Sequence, residues 1–93
     1  MINVLVLVAT TRIAEMLQHE CVNKNMRFMS IFSHLQGMRA DVILVQDDIT
    51  RNLSNSRRAE YERKLDEAHY RLSPGGIMTT FNLDENIANL RKL

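Results

Sequence analysis

The chain has 93 residues, 45% of them apolar, which supports one domain with a single core and no wide margin. Twelve basic residues against 11 acidic ones give a formal net charge of +1, so the whole surface offers no electrostatic drive for tight nucleic-acid binding. One cysteine, Cys21, excludes an internal disulfide and points to a reducing compartment, taken as the cytoplasm.

Residues 2–8, "INVLVLV", form a continuous apolar run, the pattern of a strand buried on both faces of a parallel sheet. The run lacks a basic leader, and at about eight residues it is too short to span a bilayer. It reads as the first strand and not as a signal, and no membrane association is expected. Thr10 or Thr11 is placed to cap a helix on which Ile13, Leu17 and Cys21 recur at helical spacing. Asn23, Lys24 and Asn25 end that helix. "MRFMSIFS", 26–33, predicts a second strand, with Gly37 breaking the chain after it. "DVILV", 41–45, predicts a third strand, again without alternation.

The longest helix is expected within about 50–72, where Tyr61, Leu65, Ala68 and Leu72 share a face. "SNS", 54–56, can cap its main portion, which would leave 49–55 as loop. Its mixed charges place Glu60 with Lys64 and Glu67 with Arg71 at i,i+4, the mark of a solvated face. "SPGG", 73–76, predicts a stop and a turn, and "IMTTF", 77–81, a fourth strand. Asn82 with Glu85 is spaced as a capping box, opening a last helix over 83–92 with Leu83, Ile87 and Leu90 along one side.

Strands alternating with helices predict one α/β domain over 1–93, a three-layer Rossmann-like fold with a mainly parallel sheet of about four strands. Such a sheet has two edges, and the sequence offers no charged or Pro-bearing strand to blunt them. Self-association, or a protein partner, is therefore expected.

In an open parallel sheet, ligands bind beyond the carboxyl ends of the strands. The segments expected there are "ATT" at 9–11, "SHLQG" at 33–37, "QDD" at 46–48 and "TTFN" at 79–82. Adjacent acids after a buried strand suit the part of a nucleotide hydrolase that holds magnesium and orients water. Acids in that place also solvate a loop and favour a helix N-terminus, with no chemistry at all. No G-x-x-x-x-G-K-[ST] or G-x-G-x-x-G occurs, so the usual phosphate and dinucleotide cradles have no sequence support. His19 and Cys21 diverge by roughly 200° on a helix, which suits a surface histidine and a packed thiol better than a metal site.

"LQGMRADVILVQDDI" followed by "NSRRAEYERKLDEAHYRLSPGGIMTTFNLDENIANL" resembles the ATPase core of the large terminase subunit of tailed phages. The shared order is Gly and "RAD" before the acidic strand, "NS" before a long helix, a "PGG" turn, and a strand ending in a Thr-containing motif. "NVLVLVATTRIAEML" is similar to the strand and helix that follow the phosphate loop in helicases and terminases. The resemblance covers most of the chain. It implies that Asp47 is the magnesium-associated acid and Asp48 stands in the catalytic-carboxylate place. It also implies that Thr79 and Thr80 sit at the nucleotide-sensing motif coupled to DNA movement.

This sequence departs from the family at Gln46, where an apolar residue is usual. It also lacks the strand and helix that carry the phosphate loop, and the nuclease domain. The expectation is an accessory protein that is not an enzyme on its own and binds a protein partner, DNA or another copy of itself. No cofactor is expected for the isolated chain; magnesium and ATP would enter only if a partner supplies the phosphate loop. If phage-encoded, it would work in the host cytoplasm. The alternatives are an active Rossmann-like enzyme with a phosphate- or nucleotide-bearing substrate at the strand rim, and a structural interaction module. "LSPGGIM" also resembles a turn in methyltransferases, without the glycine-rich cofactor loop.

Overall fold

The valine-rich run forms the central strand β1 (Val4–Val8), and Thr10 caps the helix α1 (Thr11–Glu20) by accepting the Ile13 N–H at 3.2 Å. The chain continues as β2 (Met26–Ser30), β3 (Ala40–Gln46), a single 3₁₀ turn (Ile49–Asn52), α2 (Asn55–Tyr70) and β4 (Leu72–Phe81). The computed structural model describes residues 2–82; the helix expected over 83–92, with its Leu83, Ile87 and Leu90 stripe, lies outside them.

All pairings are parallel, in the order β2-β1-β3-β4. The side chains of β1 divide between the two faces. Leu5 and Leu7 join Ile43, Val45, Tyr61 and Ala68 under α2, while Val6 and Val8 join Ala14, Leu17 and Phe28 under α1. Helices on opposite faces of one parallel sheet make the three layers of a small Rossmann-like α/β domain. Each fully buried aliphatic of this core stabilises the fold by about 1.5–3 kcal/mol relative to exposure. No helix among the described residues is long and apolar enough to cross a membrane.

Three local expectations are corrected. The second strand stops at Ser30, because Ser30 turns the chain: its Oγ accepts the Phe32 N–H at 3.2 Å and its carbonyl accepts the Ser33 N–H at 3.0 Å. Ile31 and Leu35 beyond that turn are fully buried, so the apolar signal in 31–35 reports loop packing, not strand. On α2 the ion pairs are Arg57–Glu60 at 3.0 Å and Lys64–Glu67 at 3.3 Å, spaced i,i+3. The same helix is tethered to the 31–33 loop by Lys64 Nζ donating to the Ser33 carbonyl and by the Arg57 guanidinium 3.9 Å over the Phe32 ring. These reaches select partners other than the expected Glu60–Lys64 and Glu67–Arg71.

The third correction concerns "SPGG". These residues lie inside β4 instead of ending in a free turn. Ala40 pairs with Leu72 and Val42 with Ile77, so Ser73–Gly76 bulges opposite the single residue Asp41. Gly75 takes φ +80°, the left-handed region that glycine enters without penalty. An edge strand thus carries Pro74 and a bulge, and the other edge strand, β2, carries exposed Arg27. Both edges are blunted over part of their length, contrary to the sequence expectation.

Candidate functional site

From β1 the chain runs to β2 on one side, then crosses to β3 on the other, so the strand order reverses between β1 and β3. The carboxyl ends of these two strands flank the topological switch point where open α/β sheets bind ligands. "ATT" follows β1 there and "QDD" closes and follows β3.

Gln46 connects the two. It is 6% exposed; its Oε1 accepts the Ala9 N–H at 3.1 Å and its Nε2 donates to Asp48 Oδ1 at 2.6 Å. A buried amide requires partners for both ends, and here one end ties β1 to β3 while the other holds a carboxylate. That is the physical reason for a polar residue at a strand end that is otherwise apolar. The same Nε2 hydrogen bond orients the Asp48 side chain.

Asp47 is exposed, and its backbone N–H donates to the Phe81 carbonyl at 3.0 Å, continuing the β3–β4 ladder past the strand end. The two acids line an open recess of about 330 Å³ with Thr50, Arg51 and Asn82. Two carboxylates with a hydroxyl, an amide and a guanidinium can hold magnesium through one or two acids and water, the ion's usual protein ligation. The guanidinium can meet an anion beside it. Among the described residues no group of three or more His, Cys, Asp or Glu converges on one point, so a metal here would take further ligands from water, substrate or a partner.

Thr79 and Thr80 do not line that recess. They are exposed on β4, paired with Leu44 and Val45, and border a separate apolar groove of about 400 Å³ with Tyr61, Leu65, His69 and Met78. Burial pushes the Tyr61 hydroxyl pKa up from its ordinary value. The segment 33–37 begins at the rim and then leaves it: Ser33 shares a hollow with Thr11 and Ser30, at the carboxyl ends of β1 and β2. Ser33 meets Lys64, whereas Gly37 lies at the opposite end of the sheet with Asn3, Asn25 and Arg39. His19, His34 and His69 are all exposed, and the half-buried Cys21 thiol donates to the Asn23 carbonyl at 3.7 Å. Arg51 and Thr50 were not singled out by sequence spacing; they reach the acids because a 3₁₀ turn follows Asp48 directly.

No protein-family model, curated protein or solved structure matches the chain.

Proposed function

We propose that this chain is a non-catalytic accessory protein, resembling the second half of a terminase- or helicase-type ATPase core, that acts through binding to a protein partner, DNA or itself. The carrying observation is where the glycines lie. The acids occupy the switch point, but Gly37, Gly75 and Gly76, the three glycines of the chain, all sit toward the amino ends of the strands. A triphosphate needs closely spaced backbone N–H groups and a cationic counter-charge around its phosphates. Among the described residues the acid rim supplies one guanidinium, and no glycine.

In this reading Asp47 and Asp48 are half of a magnesium site, completed when a partner brings the phosphate loop. Work in the cytoplasm, the host's if the gene is viral, belongs to the same proposal. The competing reading, an enzyme with a phosphate-bearing substrate at the rim, draws on Arg51 and Thr50 beside the acids.

A turnover assay separates them. The purified chain with magnesium and ATP should release phosphate no faster than the Asp48→Asn variant does. Magnesium-dependent turnover that Asp48→Asn abolishes would overturn the accessory role in favour of the enzyme.

A further inference from the structure

Three cations, Lys24, Arg27 and Arg39, line one hollow of about 310 Å³ at the amino end of the sheet. The start of β1 lies between them, with Lys24 and Arg27 on the β2 side and Arg39 leading into β3. All three are exposed, and none forms an ion pair with a described residue. No carboxylate among the described residues lines the hollow. Asp41, the acid closest in sequence to Arg39, is turned to the backbone and accepts the Asn3 N–H at 2.8 Å. The cations of α2 are arranged otherwise: they are interleaved with acids, and Arg57 and Lys64 are paired. A chain of formal net charge +1 therefore carries a local excess of positive charge at this end.

Unpaired cations around a concave surface focus a positive potential, which selects an anion. Each of these cations is exposed, so a lone phosphate held there competes with water and is screened by salt. Successive phosphates of one polymer engage several cations at once and bind more tightly for that reason. The cations also stand on both sides of β1, so two strand spacings, roughly 10 Å, separate the backbones that carry them. Asn3 and Asn25, on the same hollow, carry side-chain amides that can donate to phosphate oxygens. No aromatic side chain among the described residues lines it, so an unpaired base finds no stacking platform. That combination suits a backbone whose bases are already paired.

We propose that this hollow binds the phosphodiester backbone of duplex DNA without reading its sequence. The proposal rests on the reading that the protein works through binding, and it selects the partner and the surface.

Fluorescence anisotropy of the full chain with a labelled duplex, from about 25 to 200 mM salt, tests it. Three phosphate contacts predict that log Kd rises with log salt with a slope of about 2.7. Lys24→Ala and Arg39→Ala, both outside the strands, should leave circular dichroism unchanged. Each should lower the slope by about 0.9 and weaken binding at least about fivefold at the lowest salt. Arg63→Ala removes a cation that shares its surface with Glu60 and Glu67, and should change neither quantity. Inorganic pyrophosphate should compete only at millimolar levels. Competition at micromolar levels would make the hollow a small-phosphate site and overturn the proposal. Duplex binding that the Lys24 and Arg39 variants leave intact would overturn the hollow while keeping DNA as a partner. No binding at the lowest salt would overturn both, and would leave association with a protein as the surviving form of the reading.

Discussion

Ile43→Ala should lower the unfolding free energy by about 2–5 kcal/mol, whereas Asp47→Asn should change it by tenths of a kcal/mol to about one. Ile43 is fully buried in a central strand, with Leu5 beside it in β1 and Met78 beside it in β4. Truncation there loses the transfer energy of the removed carbons and leaves a cavity that two hydrogen-bonded neighbours prevent from closing. Asp47 is exposed, and the bond that fixes its position comes from its backbone N–H, which the substitution leaves in place. Asp48 differs from Asp47 in meeting buried Gln46, an organisation the sequence did not announce. Denaturant titration of both variants checks the order, and a larger loss from Asp47→Asn would mean that exposed acid is held by contacts absent from this structure.

Gly76→Ala should destabilise the fold by about 1–3 kcal/mol, an overpacking cost. A β-carbon built at Gly76 would lie 2.9 Å from the Asp41 carbonyl oxygen, 2.9 Å from that of Ser73 and 3.1 Å from Leu72 Cδ2. Two of these obstacles are backbone, fixed by the pairing of β3 with β4, so the bulge itself must shift. Gly75 is a useful contrast. A β-carbon there meets no atom within 4 Å, and Gly75→Ala is penalised only by its left-handed backbone, by roughly 1–2 kcal/mol. Thermal unfolding of the two variants measures both terms. A neutral Gly76→Ala would show that the bulge is soft and that the Ala40–Leu72 pairing is dispensable.

The fold was legible where burial and periodicity agree. β1 and β3 are apolar without alternation because both faces are covered, and Thr10 and Ser54 announce α1 and α2 because their side chains accept N–H groups three residues on. Legibility failed where one residue type serves two structures. Pro74, Gly75 and Gly76 signal a turn, yet here they form a bulge within a strand that resumes pairing at Ile77. Ile31 and Leu35 look like strand continuation, yet they pack as loop because Ser30 captures the Phe32 N–H.

At the candidate site, position could be read and surroundings could not. Asp47 and Asp48 were expected at a strand end from the apolar run before them. Arg51 and Asn82 come from separate segments whose approach depends on the 3₁₀ turn and on the β3–β4 register. Gln46 is a polar letter closing an apolar run, which spacing rules treat as a boundary. Its role as the tie between Ala9 and Asp48 follows only once β1 and β3 are known to be neighbours.

Calorimetric titration of the purified chain with magnesium-ATP tests most directly whether the rim acids can hold a triphosphate unaided. Backbone cradles provide most of the hold on transferred phosphates, and the acid rim has none of the glycines that build them. The expected result is no saturable binding up to millimolar nucleotide, with Asp48→Asn indistinguishable from the wild type. Saturable, magnesium-dependent binding in the micromolar range that disappears in Asp48→Asn would contradict it.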